Sequence, residues 1–249
     1  MYINRAITQT IKKAANQTKV VLVTGSRQVG KSTLMQHIFP DYSYITLDDN
    51  NEFILANDDP TLFFHNREYP LIIDEVQYAP KLFRQIKYII DKTDQKGLIF
   101  LTGSQTYELM SMASESLAGR ISIIDMPALT LREQFGIVCT LPFLPTEDYL
   151  AERKKSYITV ENLWSIIQRG SMPELSAPER DTEWFWRDYV RTYLERDVQR
   201  IVQVQNEVKF RQFLISLAAR SGQILIYEDI ASDIGIDSKT VRNWISVVA

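Results

Sequence analysis

The stretch VVLVTGSRQVGKST, residues 20–33, constrains the fold more than any other part of the chain. Val20–Val23 is an apolar, β-branched run with no polar alternation, so it reads as a strand buried on both faces. Gly25 closes the strand, and Gly30 opens a segment with helical spacing through Leu34, Ile38 and Phe39 before Pro40. A buried strand followed at once by a helix is the beginning of a parallel α/β sheet.

The rest of the first half follows the same pattern. YITLD (44–48), PLIIDEV (70–76), GLIFLTGS (97–104) and ISIIDM (121–126) read as further strands. Between them, 51–57 reads as a short helix capped by Asn50 or Asn51. Pro80 opens a helix through Asp91, with Leu82, Ile86, Ile89 and Ile90 on one face. The predicted fold is α/β: a parallel sheet sandwiched by helices, then a helical region, then a helix-turn-helix. The expected divisions are a core over 1–135, a helical lid over 136–205 and the helix-turn-helix over 206–249. Residues 182–200 and 207–220 are expected as helices, and Gly235 as the turn before a last helix that Ser238 caps.

Composition narrows the function classes. Apolar residues make up 45% of the 249, enough for a core, so the chain is not of the disordered class. The formal net charge of −3 excludes a wholesale basic nucleic-acid binder. Residues 1–40 nevertheless hold Arg5, Lys12, Lys13, Lys19, Arg27 and Lys31 and no acid. The first four read equally as a positive field about a polyphosphate or as solvated helix charges. Cys139 is the single cysteine, so no disulfide forms within the chain, and His37 and His65 lack partners at zinc-ligand spacing. No apolar run approaches the ~20 residues of a membrane span. The acid-free N-terminus has the composition of a transit peptide. Ile3, Ile7 and Ile11 more simply make one packed helix there, and the expected location is cytoplasmic.

Gly25-x4-Gly30-Lys31-Ser32 is the complete phosphate-loop pattern. Backbone N–H groups from Gly25 through Ser26, Arg27, Gln28, Val29 and Gly30 to Thr33 would turn toward phosphate. Lys31 would reach the β- and γ-phosphates, and Ser32 would ligate Mg²⁺. Hydrolysis needs more than this loop. Asp74, at the end of LIIDE, is the candidate metal carboxylate, and Glu75 the acid that polarises water. Thr102, Ser104 and Gln105 end the next strand. Ser104 is the preferred γ-phosphate sensor, with capping of the following helix as its alternative role. Arg120 is the candidate charge-neutralising cation, in cis or across a subunit interface, against a plain solvated arginine. DKTD (91–94) resembles a guanine-reading tetrapeptide, but it follows a helix and begins with Asp, so adenine is favoured and ATP with Mg²⁺ is the expected ligand pair.

TGSRQVGKST, LIIDEVQYAP, LTGSQ, LAGR, GSMPEL and YLERDV together resemble the AAA_14 group of AAA-like ATPases that carry a C-terminal DUF4143 region. That resemblance implies an ATPase near the archaeal and signal-transduction lineage, with a winged-helix module behind the core. It carries Gly25–Thr33 over as the phosphate loop, Asp74 and Glu75 as the acids, Ser104 as the sensor and Arg120 as part of LAGR. Members run beyond this point, so the chain is expected to be truncated from a longer protein. Two functions compete: an ATPase that moves the C-terminal module, and a nucleotide-gated switch with negligible turnover. A small-molecule kinase is a third idea, without an acceptor signature. DNA or a protein could be recruited through 228–248, with Lys239, Arg242 and Asn243 exposed. Residues 228–249 hold two cations and four acids, which is poor for phosphate attraction. A homo-oligomer is a further expectation.

Overall fold

The computed structural model describes residues 2–65, 67–104, 107–137, 141, 144–155, 163–193 and 207–248. They fall into two compact units, residues 1–180 and 181–249.

In the first unit, α1 (Thr8–Ala15) leads into β1 (Val20–Thr24) and α2 (Lys31–Ile38). Next come β2 (Ser43–Thr46), α3 (Asn50–Asp58), α4 (Pro60–Phe64), β3 (Leu71–Asp74) and α5 (Leu82–Ile90). Then β4 (Ile99–Thr102), α6 (Tyr107–Leu117), β5 (Ile121–Asp125), α7 (Leu131–Gln134), α8 (Glu147–Lys155) and α9 (Leu163–Arg169) complete it. The five strands form one sheet in the order β2-β3-β4-β1-β5, and every pairing is parallel.

Alternation along each strand explains why the strands are apolar throughout. Leu22, Ile73 and Leu101 face a core made with Ala56, Phe63, Leu82, Phe83, Ile86 and Leu109. On the other face Phe100 packs against Phe39 and Tyr42, with ring centroids 4.6 and 5.6 Å apart. The α/β sandwich expected from the strand pattern is therefore present.

The second unit contains α10 (Thr182–Tyr193), α11 (Glu207–Ala219), α12 (Tyr227–Ile234) and α13 (Ser238–Val248). The last three pack around Phe210, Phe213, Ile230, Val241 and Trp244. Gly235 ends α12 at φ 65°, the left-handed geometry expected of the turn. The expected helix over 182–200 is seen through Tyr193, and 194–200 lie outside the described residues.

Several boundary expectations shift. The first helix starts at Thr8 and not at the isoleucine stripe's beginning. Asp49, not Asn50 or Asn51, caps α3, accepting from the N–H groups of Asn51 and Glu52. Asp237, not Ser238, caps α13, accepting from the Thr240 N–H at 2.8 Å. The helix after Pro80 begins two residues later, at Leu82. In each cap a carboxylate sits at the position whose side chain reaches the third helical N–H.

The basic cluster also separates. Lys12 and Lys13 are exposed in the last turn of α1. Lys19 precedes β1 and donates to the Ile90 carbonyl at 3.0 Å, while Arg5 is buried in a polar network. Lys12 and Lys13 are thus solvated helix charges, while Lys19 lies at the end of β1 opposite the loop. No helix among the described residues is long and apolar enough to cross a membrane.

Candidate functional site

Parallel sheets bind ligands beyond the carboxyl ends of their strands. Here β4 lies between β1 and β3. The loop after β1, the acids after β3 and the polar end of β4 therefore converge.

The loop from Gly25 to Gly30 has a backbone that fits few residue types. A Cβ on Gly25 would sit 2.3 Å from the Met126 carbonyl oxygen, so the chain leaving β5 excludes any larger residue. Gln28 (φ 61°) and Gly30 (φ 91°) take left-handed geometry, and Gly30 is the first flank of α2. Lys31 is buried, and its Nζ donates to the carbonyls of Gly25 at 3.0 Å and Ser26 at 2.8 Å. The ammonium is thus held against the loop whose N–H groups head the helix.

Asp74 is the hub. Ser32 Oγ donates to its Oδ1 at 2.8 Å and lies 2.9 Å from Oδ2. Tyr44 Oη donates to Oδ2 at 2.7 Å. Thr102 Oγ1 donates to Oδ1. Burial, and then the hydrogen bond to Asp74, raise the Tyr44 phenol well above its ordinary range. Three hydroxyls from β2, β4 and the loop helix thus fix one carboxylate.

Glu75 follows at φ 58° and ψ 42°, a left-handed position uncommon outside glycine. Gln77 Nε2 donates to its Oε2. Burial raises the Glu75 carboxyl above its ordinary value, the Gln77 hydrogen bond opposes that, the neighbouring Asp74 adds to it, and Lys31 opposes it. Gly103 leaves room for Gln77: a Cβ there would lie 2.5 Å from Gln77 Oε1. Ser104 is 7% exposed, and its hydroxyl has no hydrogen-bond partner among the described residues.

The structure therefore brings together Gly25–Thr33, Asp74, Glu75 and the end of β4. Sequence reasoning missed Tyr44 and Gln77, and it gave Thr102 no contact with Asp74, which the structure shows. Tyr44 carried no local signal, because its role depends on β2 pairing with β3, Thr46 opposite Asp74. Gln77 lay inside the quoted LIIDEVQYAP, two residues from the acid.

Arg120 is a correction. It stands before β5, and its carbonyl accepts from Val20 N–H at the start of β1. About 13 Å of strand separates it from the loop end of the sheet, and its Nε pairs with Asp91 Oδ1 at 2.8 Å. It is not part of this constellation within one chain. The same edge holds DKTD: Asp91 pairs with Arg120, and Asp94 lies 3.6 Å from Lys19 Nζ. That tetrapeptide cannot read a base at this site.

The donor set suits Mg²⁺. Ser32 and Asp74 offer oxygen atoms only, as the ion prefers, and it commonly takes one or two protein ligands beside substrate phosphates. Among the described residues no group of three or more His, Cys, Asp or Glu forms an all-protein metal cage.

Residues 17–135 match a family model described as an AAA domain. This segment is similar to that family, and its phosphate-loop pattern follows the first strand of a parallel sheet. Residues 160–249 match a domain of unknown function, DUF8612, where the resemblance had pointed to DUF4143. An uncharacterized protein of Mycobacterium tuberculosis and one of Mycobacterium bovis are each 26% identical over 240 residues, 96% of this chain. The chain spans about half their length, 49% in each case. Among solved structures, a RuvB variant of Thermotoga maritima has a TM-score of 0.46 at 15% identity, covering 97% of this chain and 85% of its own. DnaA of Aquifex aeolicus bound to AMPPCP has a TM-score of 0.43 at 15% identity, covering 98% and 87%.

Proposed function

We propose that this chain binds ATP with Mg²⁺ and hydrolyses it, and that turnover moves the helical module of residues 181–249. The observation that carries the reading is the convergence of Ser32, Tyr44 and Thr102 on Asp74, with Glu75 next to it in chain and partly desolvated.

The loop N–H groups and Lys31 would hold the β- and γ-phosphates. Ser32 and Asp74 would hold Mg²⁺, which supplies charge neutralisation between the β- and γ-phosphates. Tyr44 and Thr102 keep the Asp74 carboxylate in one orientation. Glu75 would orient a water and accept its proton. The water oxygen then bonds to the γ-phosphorus as the bond to the bridging oxygen breaks. Ser104, a buried hydroxyl without a partner among the described residues, would donate to the γ-phosphate. With DKTD engaged in ion pairs at the other edge, the reading stays with adenine.

The test is phosphate release with and without Mg²⁺, beside the binding of a fluorescent ATP analogue. Wild type should release phosphate only with the metal. Glu75→Gln should retain nucleotide while losing release about 100-fold or more. Equal binding with no release from either protein would replace the ATPase reading with the nucleotide-gated switch.

A further inference from the structure

The segment ahead of α1 reaches back to the phosphate loop. The Tyr2 ring stacks on His37 in the last turn of α2, with centroids 3.6 Å apart. Arg5 follows, 7% exposed in the unit's interior. Its guanidinium divides among three separate parts of the chain. Nη1 donates to the Val29 carbonyl at 2.8 Å, Nη2 to the Pro127 carbonyl at 2.5 Å, and Nε to Glu133 Oε1 at 3.2 Å. Glu133 is held in turn by the Ala6 N–H at 2.7 Å and the Thr130 N–H at 2.7 Å. One side chain thus ties the phosphate loop to the chain leaving β5 and to α7.

The Val29 contact has a directional consequence. Among the described residues the only cis peptide is Tyr69–Pro70, so the Val29–Gly30 peptide is trans. In a trans peptide the carbonyl and the following N–H lie in the peptide plane and point in opposite directions. With the Val29 carbonyl turned to Arg5, the Gly30 N–H is turned away from it. Glycine leaves that peptide free to rotate, and no atom lies within 4 Å of where a Cβ on Gly30 would be. Contacts to a Gly30 side chain therefore do not hold the orientation, while the Val29 side chain is buried and its carbonyl accepts from the planar, multidirectional arginine.

We propose that Arg5 is a positioning residue for nucleotide binding: it locks the Val29–Gly30 peptide with the Gly30 N–H facing the phosphates of a nucleoside di- or triphosphate. The proposal rests on residues 25–33 being the phosphate loop. It makes the N-terminal segment part of the binding apparatus without contact to the nucleotide.

The test is titration of the full chain with a fluorescent ATP analogue and Mg²⁺. Arg5→Lys keeps a cation beside Glu133 but replaces the fork by a point charge, and should weaken binding about tenfold. Arg67→Lys perturbs the Arg67–Glu52 pair ahead of β3 and should leave the dissociation constant unchanged, which separates positioning from general destabilisation. Equal affinity in wild type and Arg5→Lys would overturn the proposal while leaving the phosphate loop intact. No binding by wild type would overturn the phosphate-loop reading, and this one with it. Should Arg5→Lys fail to fold, hydrogen exchange on wild type decides. The Gly30 amide should exchange more slowly when Mg²⁺ and ATP are added, and an unchanged rate would overturn the proposal.

Discussion

Asp74 collects three hydroxyl donors because three different elements end beside it. Ser32 was legible from the loop pattern, since motif chemistry is contiguous in sequence. Tyr44 and Thr102 were not assigned to Asp74, because nothing local says which strands flank β3. The Tyr44 hydroxyl donates to a charged acceptor, a contact that contributes about 1.5–3 kcal/mol when formed in a protein. Tyr44→Phe should therefore leave Asp74 less well oriented. The Mg²⁺ concentration for half-maximal phosphate release should rise severalfold, with metal-free nucleotide binding unchanged. An unaltered metal requirement would reduce Tyr44 to packing. Arg5 shows the opposite kind of misreading. Its charge suggested a solvated or phosphate-facing role, yet it is buried and divides its guanidinium among three partners.

At the scale of elements, α7 is short and depends on its cap. Thr130 and Glu133 form a reciprocal capping box, and the same Glu133 meets Arg5. Burial pushes the Glu133 carboxyl up, but the N–H groups of Thr130 and Ala6 and the Arg5 guanidinium outweigh it, and the carboxyl lies below its ordinary value of 4.5. The sign follows directly. The stabilisation is complete above that ordinary value and is lost as pH falls through the lower, folded-state one. Glu133→Gln leaves Arg5 buried without its counter-charge and should destabilise the core by roughly 3 kcal/mol at neutral pH. The gap between the two melting temperatures should narrow as pH drops below 4.5; a gap constant with pH would assign the effect to packing. Element identity was otherwise readable, because buried parallel strands have no polar face and α5 repeats its apolar residues at helical spacing. Cap assignment failed at Asp49 and Asp237 because neighbouring residues could cap equally well. Only the exact start of the helix selects between them.

For the molecule as a whole, strand order places the chemistry. The loop helix's Ser32, Asp74 and Thr102 meet because β4 is inserted between β1 and β3, while Arg120 stands before β5. The Arg120–Asp91 pair is substantially exposed, with side chains at 39% and 42%. Arg120→Ala should cost less than ~1 kcal/mol of stability. It should leave phosphate release unchanged at protein concentrations where the chain is monomeric. If wild-type release rises faster than linearly with protein and the variant's does not, Arg120 acts across an interface; identical profiles leave it a surface arginine. The module of α11–α13 has the helix-turn-helix expected from Gly235, and its exposed Arg242 lies over Tyr227 at 5.5 Å. The sequence by itself determined the buried strands, the phosphate loop and the paired acids after β3, because each is written in adjacent residues whose chemistry is local. The tertiary structure alone decided that Tyr44 and Thr102 donate to Asp74, that Arg5 donates to the loop and that Arg120 does not reach it within one chain. Those relations depend on strand order and direction, which join residues far apart in the chain.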